Sequence, residues 1–185
     1  TLPTVPLIYY GDEIGMRYIW GLPVVEGSQT VINRAGSRTP MQWNNSKNAG
    51  FSTADASKLY LPIDREACIP TVSNEEKDPS SLLSFVKQIV NLKKTHSALK
   101  PNANIRFLLS EKGVYPLVYE RFSDDEHIIV VLNPSAKAQT SCIPYSTNFH
   151  SIIPLLVSPQ TQLEEKDKTL KITSPAISYG IYQVK

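Results

Sequence analysis

Val5-Pro6-Leu7-Ile8-Tyr9-Tyr10-Gly11-Asp12-Glu13 is an apolar run closed by a glycine and two carboxylates. An alternating pattern would indicate a strand wet on one face. A continuous run indicates a strand buried on both faces, as in a parallel sheet covered by helices. Asp12 and Glu13 then fall at the strand's C-terminal end, where parallel α/β folds carry their functional residues. A parallel neighbour needs a crossover of about a dozen residues or more, usually helical. Residues 17–74 supply none: they contain many Gly, Pro, Asn and Ser and little periodicity. They read as one long irregular excursion, and loops of that length are usually functional. The opening run therefore reads as the last strand of a sheet encoded upstream.

Asp78-Pro79-Ser80-Ser81-Leu82 is a helix start, with Asp78 expected as the N-cap and Pro79 at the first helical position. Leu82, Leu83, Val86, Ile89, Val90 and Lys93 follow with helical spacing, and the helix is expected to end near Thr95. Lys100-Pro101-Asn102-Ala103-Asn104 is a boundary. Beyond it the pattern changes to short strands, read at 105–110, 114–122, 127–133, 138–143, 151–157, 169–173 and 177–184. Turn signals separate them, among them residues 164–168. Short strands at this spacing predict an antiparallel sandwich. The fold class is thus mixed, with residues 1–100 ending an α/β domain and residues 101–185 forming an all-β sandwich.

The 185 residues are 41% hydrophobic and 19% charged, with a formal net charge of +2. That balance gives no basis for a nucleic-acid partner or an anionic membrane surface. The opening run is too short to cross a bilayer, and it lacks the charged flank and cleavage pattern of a signal peptide. Cys68 and Cys142 are the two cysteines, far apart in sequence, and read as thiols in a reducing, cytoplasmic setting. Asn44-Asn45-Ser46 fits a glycosylation acceptor, which carries meaning only on a secretory route.

Glycoside hydrolysis needs two carboxyl groups facing each other across a bond, about 5–9 Å apart. Asp12 and Glu13 are adjacent, and adjacent strand residues point to opposite faces, so they cannot serve as acid and nucleophile together. They either orient their neighbours or line a rim, or one of them touches substrate. Arg34 and Arg38 lie in the stretch Arg34-Ala35-Gly36-Ser37-Arg38-Thr39-Pro40-Met41-Gln42-Trp43. Their guanidinium groups can grip a carboxylate or vicinal hydroxyls, or can form ordinary surface ion pairs. Trp43, Phe51, Tyr9, Tyr10, Tyr18 and Trp20 make an aromatic-rich region that suits either a sugar platform or a core. His96, His127 and His150 have no metal-ligand spacing: His96 reads as a helix-end residue, the others as strand residues. The sequence has no phosphate-cradling glycine loop, so no cofactor and no metal is expected.

Residues 6–16, Arg38-Thr39-Pro40-Met41-Gln42-Trp43 and Asn48-Ala49-Gly50-Phe51-Ser52 resemble the α-amylase superfamily, glycoside hydrolase family 13. The branch is that of oligo-1,6-glucosidases, α-glucosidases and trehalose synthases. The likeness is close over residues 1–100 and weaker over the sandwich. It implies that residues 1–100 are strand eight, its long loop and helix eight of a (β/α)8 barrel, with the sandwich as domain C. It further implies a retaining α-glucoside hydrolase or transglycosylating isomerase as the complete enzyme. The family's catalytic carboxylates come from earlier strands, and no residue here matches their motifs, so no catalytic residue is assigned and this chain alone is expected to be inert. Carried over by position, Arg38 reaches the sugar at the non-reducing end and Arg34 the acceptor side. Asp12 and Glu13 match the strand-end pair, and Trp43 joins them as a substrate-binding candidate. Thr4, Ala35 and residues 64–71 depart from the family pattern. Among the alternatives is a stand-alone carbohydrate-binding or structural sandwich, which would need exposed aromatics on a sandwich face. Tyr115, Tyr119, Tyr145 and Tyr179 instead alternate with apolar residues and read as internal. Apolar surface left at the start of the chain predicts self-association or partial disorder there.

Overall fold

The structure, a computed structural model, describes residues 1–24, 33–147 and 149–185. It divides into two compact units, residues 1–5 with 88–185, and residues 6–87.

The larger unit contains two antiparallel sheets. Strands β1 (Asn104–Leu109), β2 (Leu117–Phe122), β3 (His127–Asn133), β5 (Ile152–Val157) and β8 (Ser178–Val184) form one, in the order β1-β2-β3-β8-β5. Strands β4 (Gln139–Pro144), β6 (Gln162–Lys166) and β7 (Thr169–Ser174) form the other, in the order β4-β7-β6. The sandwich expectation holds. Seven of the strands are those legible in sequence, with ends shifted by a few residues. The eighth, β6, falls partly on a stretch read as a turn. Its sequence Gln-Leu-Glu-Glu-Lys buries only Leu163, because β6 is an edge strand with one neighbour. Pro154 is accommodated on the other sheet's edge strand, β5, beside a register irregularity, where a missing N–H costs little.

The five-stranded sheet is covered on both faces. Val118, Ile129, Val131, Tyr182 and Val184 meet Ile143, Leu163, Leu170 and Ile172 of the smaller sheet in one core. Tyr119, Ile128, Val130 and Ile181 form the other core with Ala98 and Leu99, and Ile89 and Leu92 of helix α2 (Leu82–Thr95) pack against it. Tyr119 and Tyr145 are internal as expected, whereas Tyr115 is exposed and Tyr179 half-buried. His127 opens β3, while His150 lies just outside β5 rather than within it.

Two charged residues of β2 are fully buried, and both are satisfied. Glu120 accepts from Arg106 (2.5 Å) and the Tyr145 hydroxyl (2.7 Å) and pairs with His127 Nδ1 (2.7 Å). Arg121 donates to the carbonyls of Lys100 (2.7 Å), Ala103 (3.3 Å), Asn104 (3.0 Å) and Thr1. Glu126 closes a third cluster, with His96 at 2.5 Å, Gln183 at 2.8 Å and the Ala98 N–H at 3.0 Å.

In residues 6–87 one expectation is met and one corrected. The run 5–10 pairs with no strand, as expected where the chain offers it no parallel neighbour, and Val5 and Leu7 are 81% and 96% exposed. A strand exists through its ladder, and no described residue offers this segment one. The helix starts later than expected. Asp78 folds into a turn, accepting from the Ser80 N–H and hydroxyl (2.8 and 2.7 Å). The cap is Ser81, whose Oγ accepts from the Ser84 N–H at 3.1 Å ahead of Leu82. The irregular excursion read at 17–74 is irregular, with short 3-10 turns and one four-residue helix, α1 (Val72–Glu75); its residues 25–32 lie outside the described residues.

Burial by itself raises the Glu126 pKa; the His96 hydrogen bond, the Ala98 N–H and the Ser97 hydroxyl outweigh it and hold the carboxyl below its ordinary value. A depressed carboxylate contributes stability that is complete above its unfolded pKa and lost as pH falls through the folded one. The urea midpoint should therefore decline as pH drops below about 4.3. Glu126→Gln should lower the midpoint at neutral pH and flatten that decline.

Candidate substrate-binding wall

The turn after the extended run is built from its own backbone. Gly11 takes φ +89°, a conformation that L side chains rarely adopt, and the chain reverses through the 3-10 turn Asp12–Ile14. Both carboxylates fold back onto this turn. The Tyr9 N–H donates to Asp12 Oδ2 at 3.2 Å, and the Gly11 N–H donates to Glu13 Oε2 at 2.8 Å. Each carboxylate satisfies an N–H that the turn would otherwise leave unpaired.

Residues 38–54 form a loop braced from within. The Tyr10 hydroxyl donates to Thr39 O at 3.0 Å. Gln42 is buried and its Nε2 donates to Pro70 O at 2.6 Å, while the Val72 and Ser73 N–H groups donate to Gln42 O (3.0 Å) and Trp43 O (2.9 Å). The Trp43 and Asn44 N–H groups both donate to Ala49 O, at 2.8 and 3.1 Å. Asn48 and Ala49 are left-handed (φ 52° and 53°), and the Asn48 side chain donates to Ser52 O and Ala54 O, each at 2.8 Å. Met41 anchors the loop in a small core with Ile14 and Leu83, and Met16 and Val72 pack around it.

With its backbone held, the loop turns selected side chains outward. Tyr10, Glu13, Arg38, Trp43, Phe51 and Tyr60 line an open cavity of about 430 Å³, with Pro40, Met41 and Leu61. Trp43 is 49% exposed, so it is wall and not core. Arg38 is half-buried, and its charge near Tyr10 opposes the rise that burial and Tyr9 impose on that phenol's pKa. The expected residues are therefore only partly brought together. Glu13, Arg38 and Trp43 share this cavity. Asp12 lines a different one of about 160 Å³, with Gly36 and Thr39. Arg34 is exposed, and its carbonyl accepts from the Ser37 hydroxyl at 3.0 Å. Tyr60 was missed: it follows the loop by six residues in a stretch without periodicity, and its flanking Leu59 and Leu61 give it the look of ordinary apolar material. Among the described residues no cluster of His, Cys, Asp and Glu could hold a metal ion. Cys68 and Cys142 are both exposed and free.

A family model described as alpha amylase, catalytic domain, matches residues 1–102. The chain belongs to the α-amylase family. Its relatives include a trehalose synthase/amylase of Mycobacterium tuberculosis, 33% identical over 72% of this chain and 21% of that protein. An α-glucosidase of Apis mellifera is 32% identical over 75% of this chain and 25% of that protein. The chain thus spans about a fifth to a quarter of the length of these relatives. In fold it is similar to a crystal structure of the trehalulose synthase MutB, with a TM-score of 0.75 at 23% identity over 97% of this chain and 35% of that one.

Gly36 tests the bracing. A Cβ there would sit 2.2 Å from Ile19 O and 2.8 Å from the Tyr18 ring, while the Ile19 N–H donates to Gly36 O at 3.1 Å. Backbone cannot yield as a flexible side chain can. Gly36→Ala should lower stability by about 1–3 kcal/mol and speed hydrogen exchange at the Ile19 amide. Unchanged exchange at Ile19 would contradict the packing described.

Proposed function

We propose that this chain is part of a longer α-glucoside-acting enzyme, a retaining glycosidase or a trehalose-synthase-like transglycosylase, and that residues 38–54 form one wall of its sugar pocket. On this reading residues 1–100 close the catalytic barrel and residues 101–185 form the sandwich that follows it. The observation that carries the proposal is the cavity lined by Glu13, Arg38, Trp43, Phe51 and Tyr60. It has the makings of a pyranose site: aromatic faces for ring CH groups and a guanidinium for vicinal hydroxyls. Family membership and the relatives described as trehalose synthase and α-glucosidase support the substrate class.

Each residue has a separate part. Arg38 binds hydroxyls of the non-reducing-end sugar, Trp43 and Phe51 pack on its ring, and Arg34 faces the acceptor. Asp12 and Glu13 hold the turn that sets the cavity's edge. A retaining mechanism needs two carboxyl groups about 5–5.5 Å apart, one as nucleophile and one as acid/base. Asp12 and Glu13 are each engaged with backbone N–H groups, and they line different cavities. The reacting carboxylates therefore come from outside these residues, and the chain alone does no chemistry. The exposed Val5 and Leu7 favour self-association of the chain when it is alone. No helix among the described residues is long and apolar enough to cross a membrane. A cytoplasmic setting accords with the two free thiols.

The test compares this chain with the full-length protein on maltose, trehalose, sucrose and aryl α-glucosides. Turnover is expected from the full-length protein and none from the chain. In the full-length protein Arg38→Ala should lower kcat/KM by roughly 10–100-fold, the loss of charged hydrogen bonds worth about 1.5–3 kcal/mol. Arg34→Ala should change it less. Turnover by the isolated chain, abolished by a substitution within it, would overturn the proposal.

A further inference from the structure

A third and larger cavity, about 600 Å³, opens between residues 17–22 and 62–67, and shares Arg17 and Tyr18 with the small cavity of Asp12. No residue lines both it and the cavity of Arg38 and Trp43. Its volume falls in the range of ordinary small-molecule sites.

The polar part of this cavity is a forked ion pair. Arg17 donates through Nε and Nη2 to both oxygens of Asp64, at 2.8–3.0 Å. The Glu66 N–H donates to Asp64 Oδ1 at 3.0 Å. The side chains are 54% exposed for Arg17 and 8% for Asp64, so the carboxylate is set in the wall while the guanidinium reaches solvent. Held from two sides, both groups have fixed positions, which lowers the entropic cost of engaging a ligand. The apolar part is aromatic. The Tyr18 and Trp20 rings lie 4.5 Å apart, and the Tyr18 hydroxyl is tied to Asn33 O at 2.6 Å. Trp20 is 84% exposed, so beyond its contact with Tyr18 most of the indole surface is left to solvent.

Charge selects the class of ligand. Arg17 and Arg65 are balanced by Asp64 and Glu66 around the same cavity, so a phosphate or carboxylate meets as much repulsion as attraction. An uncharged molecule with an apolar face and an array of hydroxyls suits both halves. We propose that this cavity is a second carbohydrate site, taking one pyranose unit of an α-glucoside or short maltooligosaccharide, with Trp20 against the ring's CH face and the Arg17–Asp64 pair at its hydroxyls. The proposal rests on the reading of the chain as part of an α-glucoside-acting enzyme.

The chain has two tryptophans, Trp20 in this cavity and Trp43 in the other, so each cavity carries its own reporter. Trp43→Phe leaves Trp20 as the only indole, and Trp20→Phe leaves Trp43. Each variant is titrated with maltose and, separately, with potassium phosphate while tryptophan emission is followed. A saturable shift of Trp20 emission with maltose, and none with phosphate, supports the second site. Arg17→Leu and the milder Arg17→Lys, both made in the Trp43→Phe chain and both with unchanged circular dichroism, should each weaken that response at least tenfold. A Trp20 emission indifferent to maltose overturns the proposal, as does saturation by phosphate or an undiminished response in both Arg17 variants. If Trp43 responds and Trp20 does not, only this second site falls. If Trp20 responds and Trp43 does not, the pocket assigned to residues 38–54 falls and the second site stands.

Discussion

Strand β3 is buried on both faces: Ile128, Ile129, Val130 and Val131 are all fully shielded from solvent. Successive side chains of a strand point to opposite faces, so these four residues feed two cores in alternation. Ile129 and Val131 face the three-stranded sheet, while Ile128 and Val130 face Leu99 and the C-terminal half of α2. A slip of one residue would exchange the two sets and misplace every partner of β2 and β8. The register of the five-stranded sheet is specified from both sides at once. The buried charges beside β3 add to this specification, because Glu120 and Arg121 find their partners in one arrangement only. A buried charge stripped of its partners costs several kcal/mol, about 3–5 for a broken pair.

Residues 6–87 are held differently. They contain one small apolar core, of Ile14, Met41 and Leu83, and no sheet among their described residues. Order comes instead from side chains and backbone groups closing on one another: Gln42 on Pro70, Asn48 on Ser52 and Ala54, the two carboxylates on the turn that carries them. A loop satisfied in this way can leave Arg38, Trp43 and Phe51 facing a cavity without losing its shape. This is the usual relation between a functional loop and its support, with internal bonds setting the backbone and the outward residues left for a ligand.

Much of this was legible in the chain's own pattern. Seven strands followed from alternation and turn residues, and the end of α2 from its helical spacing and its terminal lysines. What escaped has physical causes. Strand β6 carries a single inward residue, Leu163, too little for alternation to register. The start of α2 moved from Asp78 to Ser81 because both residues can cap a backbone N–H, and the sequence does not say which of two adjacent turns continues as helix. The run 5–10 has the composition of a buried strand but is unpaired and exposed, since composition records what a segment can bury and not whether a partner lies beside it. In the site, the motif stretch disclosed Arg38, Trp43 and Phe51, yet neither the separation of Asp12 from Glu13 nor the inclusion of Tyr60 could be read from spacing.

The sequence by itself determined the family, the two-part character of the chain and the chemistry of its loop, because these reside in residue types and short-range order. Only the tertiary structure decided which polar groups hold one another. Asp12 and Glu13, the most suggestive acids in the sequence, are engaged by backbone N–H groups, and Asp64 is engaged by Arg17 across 47 positions of sequence. Hydrogen-bond capacity is finite and is claimed by whatever lies within about 3 Å in space. Distance along the chain carries no record of that, so which groups hold one another could be recognised only once the chain was folded.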